Sequence, residues 1–512
     1  MPIPTTDPRT DDLGDLPLDA VTDAALSRAR ELGAVHADVR VERIASRALR
    51  LSDGRVQTAH TGEDVGLAVR VVVAAGAHHS TWGFAAGTDV SADAAARLAS
   101  AAVDVAAVTA PVNTEPVELA DEPVHQGTWI SSYAVDPLDV PERDQVGLLA
   151  ELSGRLLRAD GVRHADASML AVKEVKFYAD LAGTRTAQRR VRMQAELQAM
   201  WIDDESGRFE SMRTLAPPAG RGWEWMTGGD GCWDWDREIA ELPGLLLEKA
   251  TAPSVAAGTY DLVIDPSNLW LTIHESIGHA TELDRALGYE ANYAGTTFAT
   301  FDRLGNLQYG SPVMHVTGDR TAEHGLATVG WDDDGVAAQT WDLVRDGVLV
   351  GYQLDRRMAR LQGLGRSNGC AFADAPHHMP LQRMANVSLQ PAAGGPSTDQ
   401  LIAGVDDGIY VVGDNSWSID MQRYNFQFTG QRFYRIRDGH LAGQLRDVAY
   451  QANTVDFWNA MDAVGGPQTY LLGGAFNCGK GQPAQVAPVS HGCPTARFRG
   501  IRVLNTTAEG HR

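Results

Sequence analysis

Residues 274–279 read His-Glu-Ser-Ile-Gly-His, two histidines with a glutamate directly after the first. Neutral imidazole nitrogens are common zinc ligands, and a catalytic zinc keeps one coordination position open for water. A glutamate beside the metal can take a proton from that water. The pattern is typical of a zinc hydrolase with His274 and His279 as ligands and Glu275 as the general base. A buried, hydrogen-bonded pair of histidines is the structural alternative.

The spacing of the two histidines is one residue longer than in the common H-E-x-x-H motif. On a regular α-helix, residues five apart point about 140° away from each other. A π-bulge would bring both rings to one side, and Gly278 lowers the cost of a distorted turn. We therefore expect the helix to be irregular between His274 and His279, or to end there.

A mononuclear zinc also needs a third protein ligand. Cys478 lies in a predicted glycine-rich loop, where its thiolate would complete a His-His-Cys set, and Lys480 can lower the pKa of that thiol. Cys493, fifteen residues further on, is the rival sulfur ligand, and Glu282 is a carboxylate alternative. Since a lone cysteine is frequently an apolar core residue, these residues alone leave the third ligand open.

Other polar residues near the motif and elsewhere allow two interpretations each. Glu282 and Asp284 follow the second histidine, and either carboxylate can orient a ligand histidine. A solvated helix face or a salt bridge at the helix end explains them equally well. The pairs His377-His378 and His78-His79 could bind metal or line a substrate path, although surface positions are the simpler interpretation.

The elements before the motif are expected to position it. The segment 259–265 predicts a strand, and Asp265-Pro266 predicts a helix start with an acidic cap and a proline in the first turn. Leu269, Ile273 and Ile277 recur at helical spacing and form the apolar face of that helix. The histidines thus belong to the second and third turns of a helix that follows a strand.

The chain as a whole divides into three predicted parts. Residues 1–17 are rich in Pro and Asp and predict a flexible lead. Residues 18–235 mix amphipathic helices with largely antiparallel strands, including a hairpin that turns at Asp53-Gly54, and predict an α/β domain. Residues 236–512 carry the metal-site helix and then short strands separated by Gly/Asp turns, which predict a β-rich domain. The expected fold class is α+β.

Composition limits the partners of the protein. The 512-residue chain has a net charge of −22 and a pI near 5.0, whereas binding to nucleic acid or to anionic membranes needs clustered positive charge. Four cysteines are too few for a disulfide framework, and no apolar signal segment is visible at the N-terminus. We also find no run of about 18 apolar residues that would predict a membrane span. These features predict a cytoplasmic protein.

The motifs together resemble the TldD/PmbA (TldD/TldE) family of metallopeptidases, from about residue 20 to near the C-terminus. The catalytic subunits of that family carry a motif close to HExxGHxxExD, which six residues match: His274, Glu275, Gly278, His279, Glu282 and Asp284. Two family elements near the C-terminus, CGK and G-x-P-T, correspond to Cys478-Gly479-Lys480 and Gly492-Cys493-Pro494-Thr495, with Cys493 as an extra cysteine. Arg383, Met384 and Asn386 match a segment ending in R-M-T-N, with Ala385 in place of threonine.

The resemblance implies one zinc ion per chain, bound by His274, His279 and Cys478, with Glu275 as the base. It implies an α/β N-terminal domain, a β-rich C-terminal domain, and a dimer formed with a second copy or with a paralogous TldE/PmbA-like subunit that lacks the histidine motif. The implied substrates are short or unfolded peptides. Four further residues are candidates for supporting the ligands or contacting the substrate: Glu282, Asp284, Lys480 and Arg383.

Two other functions remain alternatives to a peptidase. The chain could be a non-catalytic support subunit of a peptidase heterodimer, in which the metal is structural or absent. It could also be a metal-dependent amidase or esterase that acts on a small molecule. The histidine motif favours an enzyme over a support subunit, and a dependence of rate on peptide length would separate a peptidase from a small-molecule hydrolase.

Overall fold

The computed structural model describes residues 7–74, 80–481 and 483–509. The strands of the N-terminal half are β1 (Ala34–Ser52), β2 (Arg55–Ala74), β3 (Ser80–Gly87), β4 (Gln126–Ile130), β5 (Val162–Asp180), β6 (Arg185–Ile202) and β7 (Phe209–Arg213). They form one seven-stranded sheet in the order β3-β2-β1-β5-β6-β4, with β7 also paired to β6. The neighbours are antiparallel apart from β4 and β6, which run parallel.

β1 and β2 form a long hairpin that turns at Asp53-Gly54, which confirms the predicted turn. The φ angles are 50° at Asp53 and 72° at Gly54, and a two-residue hairpin turn favours positive φ at both central positions. The register pairs Ser52 with Arg55 across the turn and Val39 with Val69 further along. Both valines are fully buried, so this face of the hairpin belongs to the core.

The helices of this half are α1 (Pro8–Asp11), α2 (Leu18–Glu31), α3 (Ala92–Thr109), α4 (Glu142–Leu157), α5 (Glu224–Thr227) and α6 (Trp235–Thr251). α2 and α3 pack on one end of the sheet, and α4 and α6 pack on the other end. Along the strands, every second residue is buried against these helices, and under both helix pairs these residues point to the same side of the sheet. All four helices therefore cover one face of the sheet. The opposite face carries charged residues and packs against the C-terminal half.

One helix among the described residues, Ala92–Val112, has the length and apolar composition of a membrane span. It consists of α3 and the 3₁₀ turn that follows. Asp93, Arg97 and Asp104 interrupt its apolar sequence. Its fully buried residues are small and pack against the sheet and α2: Ala95, Ala99, Ala102 and Ala106.

The strands of the C-terminal half are β8 (Gly258–Ile264), β9 (Val316–Asp319), β10 (Thr340–Arg345), β11 (Val348–Leu349), β12 (Ala371–Phe372), β13 (Leu381–Gln382), β14 (Asn386–Leu389), β15 (Asp407–Ile419), β16 (Asn425–Arg437), β17 (His440–Leu445), β18 (Val448–Asn453), β19 (Met461–Val464), β20 (Leu471–Lys480), β21 (Gln485–Cys493) and β22 (Ala496–Asn505). The main sheet has the order β15-β8-β22-β18-β16-β17, with β19 paired to β22. Smaller sheets are β11-β10-β9-β14, β12-β13 and β20-β21. The protein is therefore α+β, as predicted.

The helices of this half are α7 (Pro266–Ile273), α8 (Leu283–Ala286), α9 (Arg356–Leu361), α10 (Thr398–Ala403), α11 (Thr454–Asn459) and α12 (Thr506–Glu509). α7 begins where the sequence predicts: the Asp265 side chain accepts a hydrogen bond from the Ser267 backbone N–H at 3.0 Å, and Pro266 occupies the first turn. Leu269 and Ile273 are fully buried in the main core of this half. The core therefore holds the start of the metal-site segment rigidly.

Two parts of the predicted division can be compared with the structure. Within the predicted lead, Pro8–Asp11 form a helical turn, and Leu13 is fully buried beside α2. Residues 1–6 lie outside the described residues. The boundary between residues 235 and 236 stays a prediction; α6 begins at Trp235 and packs with the N-terminal half.

The charged face of the N-terminal sheet is joined to the C-terminal half by buried ion pairs. Arg70 pairs with Asp334 at 2.7 Å, and Lys176 pairs with Asp333 at 2.9 Å. Both aspartates belong to the turn Asp332–Gly335, one of the Gly/Asp turns in the sequence, and both are buried. The two halves thus meet across a polar, desolvated interface.

Candidate metal centre

The helix that carries the histidine motif changes its winding at the motif. α7 ends at Ile273, His274–Gly278 form a π-helical turn, and His279–Thr281 form a 3₁₀ turn. The wider π turn brings the two histidines to one side, with their ring centroids 4.8 Å apart. The predicted irregularity is confirmed.

The close neighbour of Gly278 is a side chain that the sequence prediction did not consider. Its φ of −53° is ordinary right-handed helix, so the turn does not need the conformational freedom of glycine. A Cβ atom there would lie 2.6 Å from the Sδ atom of Met384. The missing side chain therefore allows the Met384 segment to pack directly against the motif.

Cys478 reaches the histidines from a separate part of the chain. It lies on β20, where the pairing with β21 shifts register between Ala475 and Cys478. Its Sγ atom is 3.6 Å from Nε2 of His279. One ligand atom from each of His274, His279 and Cys478 lies within 4.8 Å of the others, and all three residues are buried.

The separation of Cys478 and His279 suits a tetrahedral zinc ion. With Zn–N near 2.1 Å and Zn–S near 2.3 Å, two tetrahedral ligands would lie about 3.6 Å apart. The Sγ–Nε2 distance between Cys478 and His279 agrees with this value. Three protein ligands would leave a fourth position for water or substrate, as in catalytic zinc sites.

The tautomer of His274 is set by a second buried histidine. Nδ1 of His491 lies 2.9 Å from the backbone oxygen of Val387, which can only accept, so this nitrogen carries the proton. Burial, followed by the nearby His274, lowers the pKa of His491 well below its usual range. Its neutral Nε2 therefore accepts a hydrogen bond from Nδ1 of His274 at 2.7 Å. This arrangement leaves Nε2 of His274 unprotonated and available to a metal.

A carboxylate fixes the tautomer of His279 in the same way. Nδ1 of His279 donates to Glu282 at 2.9 Å. Lys480 donates to the other oxygen of Glu282 at 3.2 Å and to Asp284 at 2.9 Å. Burial raises the pKa of Glu282, but Lys480 and His279 outweigh that effect, and the net pKa is well below its usual range. Glu282 is thus an anion that points Nε2 of His279 toward Cys478.

The electrostatic surroundings favour the forms that bind metal. Burial lowers the pKa of His274, which favours the neutral imidazole. Burial alone would raise the pKa of the Cys478 thiol, but His279 and Arg383 outweigh it and the net pKa is lowered. Arg383 also donates to the backbone oxygen of Cys478. Imidazole nitrogens and a thiolate are donors that zinc prefers.

Glu275 lies on the same π turn as the histidines and is 6% exposed. Arg423 donates to its carboxylate at 2.5 Å, and Trp417 also hydrogen-bonds to it. Burial raises the pKa of Glu275, but His274, His279 and Arg423 outweigh that effect and lower it. The carboxylate is therefore ionised at neutral pH and can accept a proton.

Arg423 is held in an unusual backbone conformation at the connection between β15 and β16. Its φ is 60°, a value that few residues other than glycine adopt. The backbone oxygen of Arg423 accepts a hydrogen bond from the Thr454 hydroxyl at 2.7 Å. Such strain persists only where the surrounding structure holds it, and it is frequent at functional sites.

The other sequence candidates lie apart from the three donor atoms. Cys493 is fully buried, and its Sγ lies 3.7 Å from the backbone oxygen of Pro266. His378 hydrogen-bonds to Asp374 at 2.6 Å, and His377 is largely exposed. The pair His78-His79 falls outside the described residues. Within the described ranges, neither Cys493 nor His377-His378 belongs to the group of candidate ligands.

A cleft of about 410 Å³ opens beside the site. His274, Glu275, His279 and Cys478 line it together with several neighbours on β20. The N-terminal half supplies the opposite wall from β6 and from the segment after β7: Gln194, Glu196 and residues 213–218. The cleft therefore forms only when both halves pack together.

Sequence reasoning missed two residues that contact the site. His491 precedes the G-x-P-T element by one residue, and a histidine beside that element was a signal that could have singled it out. No sequence motif singles out Arg423, because arginine is a common residue type and its spacing from the other site residues follows no pattern. Both reach the site from strands or turns more than a hundred positions away.

Two family models match the chain. The PmbA/TldA metallopeptidase C-terminal domain matches residues 257–505, and the PmbA/TldA metallopeptidase domain 1 matches residues 37–106. Together the two stretches make up more than half of the chain. The matched C-terminal stretch contains the candidate ligands and Glu275.

Relatives over most of the chain carry related names. A protein named metalloprotease from Methanothermobacter thermautotrophicus is 26% identical over 471 residues, covering 92% of this chain and 96% of the relative. A zinc metalloprotease TldD homolog from Saccharolobus solfataricus is 24% identical over 271 residues, covering 53% of this chain and 57% of the relative.

Solved structures share the fold at low sequence identity. A protein from Thermotoga maritima superposes with a TM-score of 0.73 at 14% identity, covering 95% of this chain and 100% of that one. TldE from Thermococcus kodakarensis superposes with a TM-score of 0.67 at 14% identity, covering 93% and 98%. From the matched family models and these relatives, the chain belongs to the PmbA/TldD family of metallopeptidases.

Proposed function

We propose that this chain is a zinc-dependent peptidase in which His274, His279 and Cys478 hold one zinc ion. The observation that carries the proposal is the convergence of their ligand atoms within 4.8 Å at the wall of a cleft. His491 and Glu282 support it, because each occupies Nδ1 of one histidine and leaves Nε2 for the metal.

Glu275 is proposed as the general base. When bound, zinc would lower the pKa of water and polarise the scissile carbonyl. The Glu275 carboxylate takes the proton from the attacking water and passes it to the leaving amine. Arg423 orients that carboxylate and keeps it ionised through a charge-assisted hydrogen bond.

Short or unfolded peptides are the proposed substrates. β20 pairs with β21 along one edge, and within the described chain no strand pairs with its other edge. Gly473 to Gly479 of this strand line the cleft. An extended peptide can add to such an edge through backbone hydrogen bonds, which read little of the side-chain sequence. The enclosed setting between the two halves would exclude folded proteins.

A ligand series tests the metal assignment. We expect His274→Ala, His279→Ala and Cys478→Ser each to lose zinc, measured by elemental analysis of the purified chain. Cys493→Ser is the matched control and should keep zinc. If Cys478→Ser retains full metal and activity, the ligand assignment is wrong.

A second variant separates metal binding from catalysis. Glu275→Gln should keep zinc but hydrolyse a quenched peptide slower by about three or more powers of ten, because the base is lost while the ligands remain. Rates on peptides of increasing length distinguish a peptidase from a small-molecule amidase, which would gain nothing from length. A zinc-loaded wild-type chain that cleaves no peptide, alone or with a paralogous subunit, would favour the support-subunit alternative.

The assembly and location follow from the family as proposals. TldE, a solved neighbour with the same fold, supports pairing with a TldE/PmbA-like subunit. A homodimer is the alternative, and light scattering of the purified chain with and without a paralogue separates the two. We propose that the protein works in the cytoplasm, where a reduced Cys478 is available as a ligand.

A further inference from the structure

A second cavity, distinct from the catalytic cleft, lies between the two halves of the protein. Its volume is about 530 Å³, within the range of small-molecule sites. β6 and the segment around β4 form one wall, and residues 321–331 of the C-terminal half form much of the other. Thr321 and Glu323 at its rim are exposed, so the cavity reaches solvent.

Two buried arginines line this cavity. Arg190 and Arg192 point to the same face of β6, and each is 4% exposed. Both pair with one carboxylate, Glu174, at 2.8–2.9 Å. Lys176 approaches the same carboxylate at 3.4 Å. Lys176 also pairs with Asp333 and Glu42, whereas both arginines share the one carboxylate of Glu174.

Arg192 is the least compensated of these cations. Within residues 7–74, 80–481 and 483–509, its Nε and Nη1 atoms have no hydrogen-bond acceptor. Burial and the charge of Arg190 lower the pKa of Arg192 to about 10. A buried guanidinium normally has its donors satisfied, so Arg192 has donors to spare beyond its pairing with Glu174.

Neighbouring groups add to the positive potential. Arg320 is 2% exposed, its Nε has no acceptor within the described ranges, and burial lowers its pKa. Asp332 does not compensate, because burial and the charge of Asp334 raise its pKa well above the usual range. Arg320 is thus a second buried guanidinium near Arg190 with an unsatisfied donor.

The rest of the lining suits a polar ligand. Four residues with hydroxyl groups and one histidine belong to the lining: Ser131, Ser132, Thr321, Thr328 and His324. His324 has a φ of 61°, a strained value for a residue other than glycine. Strain of this kind persists only where the surrounding structure holds it.

We propose that this cavity binds a small anion, a molecule carrying a carboxylate or a phosphate group, beside Arg190 and Arg192. The ligand accepts hydrogen bonds from the Arg192 donors that Glu174 leaves free, and the lining hydroxyl residues and His324 contact its remaining polar atoms. The site uses none of the zinc ligands, so it is independent of the proposed peptidase activity.

Calorimetric titration of the full chain with inorganic phosphate and with acetate, each at constant ionic strength set with chloride, tests the proposal. We expect saturable binding of one ion per chain by at least one probe. Binding by phosphate alone would indicate a phosphorylated ligand, and binding by acetate alone a carboxylate ligand. The titration is repeated after chelation of the metal, and binding should persist.

Two variants locate the bound ion. Arg192→Gln removes the guanidinium with the unsatisfied donors, and Ser132→Glu places a competing carboxylate at a half-buried position of the lining; each should weaken binding at least tenfold. Arg163→Gln, at an exposed arginine, is the matched control and should bind as wild type does. If Arg192→Gln does not fold, Ser132→Glu decides. Absence of saturable binding, loss of binding on chelation, or unchanged affinity in the folded variants overturns the proposal.

Discussion

Replacing His491 by phenylalanine would remove the acceptor that fixes the tautomer of His274 while keeping an aromatic ring in place. His491 is fully buried, and its ring is nearly parallel to Trp270, with an interplanar angle of 9° and centroids 6.3 Å apart. Phenylalanine can preserve this packing. The Nδ1–H of His274, which donates to His491 at 2.7 Å, would then have lost its acceptor.

The expected loss follows from that hydrogen bond. A buried donor without an acceptor costs about 1–3 kcal/mol, and loss of a residue that orients a metal-ligating histidine weakens binding by about 10- to 100-fold. We therefore expect His491→Phe to bind zinc about 10- to 100-fold more weakly than wild type, because Nε2 of His274 is no longer held as an unprotonated ligand. His491→Gln, which can still accept through its amide oxygen, should lose less.

Competition for zinc with a chromophoric chelator measures this effect. Cys493→Ser is a matched control on the same strand, since Cys493 contacts Pro266 and lies away from the histidines. Near-ultraviolet circular dichroism establishes that each variant is folded. A folded His491→Phe protein that binds zinc within twofold of wild type would refute the proposed role of His491.

Three further changes test other parts of the structure. Arg423→Gln should keep zinc and move the acidic limb of kcat/KM to higher pH, because Arg423 is one of the groups that lower the pKa of Glu275; an unshifted limb would contradict the pairing. Burial raises the pKa of Glu42 to about 7. Between pH values of about 4.5 and 7 the unfolded chain loses this proton while the folded protein keeps it, so stability falls as pH rises. Urea unfolding of Glu42→Gln should therefore show a smaller loss of stability between pH 5 and 8 than wild type, and equal losses would argue against a raised pKa. Gly278→Ala should cost about 1–3 kcal/mol through contact with Met384. In thermal unfolding, the double variant Gly278→Ala/Met384→Ala should lose less stability than the sum of the two single variants, by at least about 0.5 kcal/mol. Additive losses would show that the contact is unimportant.

Local patterns in the sequence were enough to predict several parts of the protein. The five-residue spacing of His274 and His279 requires a widened turn, because backbone geometry within one helix depends on neighbouring residues alone. The helix start at Asp265-Pro266 and the hairpin turn at Asp53-Gly54 are local in the same sense. The family resemblance extended these patterns to Cys478.

Long-range contacts could not be read from such patterns. His491 and Arg423 touch the site because β21 and the β15–β16 connection pack beside α7, and the spacing of residues along the chain carries no record of that packing. The role of Gly278 was misjudged for the same reason: the backbone there is ordinary, and the close neighbour is Met384, more than a hundred positions away.

By itself, the sequence determined which side chains could bind a metal and how the chain must bend to present two of them. Only the tertiary structure decided that the thiol of Cys478 lies 3.6 Å from His279, that the rival Cys493 lies elsewhere, and that both halves enclose the cleft. Donor chemistry and helix winding are properties of a few adjacent residues. Distances between strands depend on how the whole core packs, and that is settled by the burial of many side chains at once.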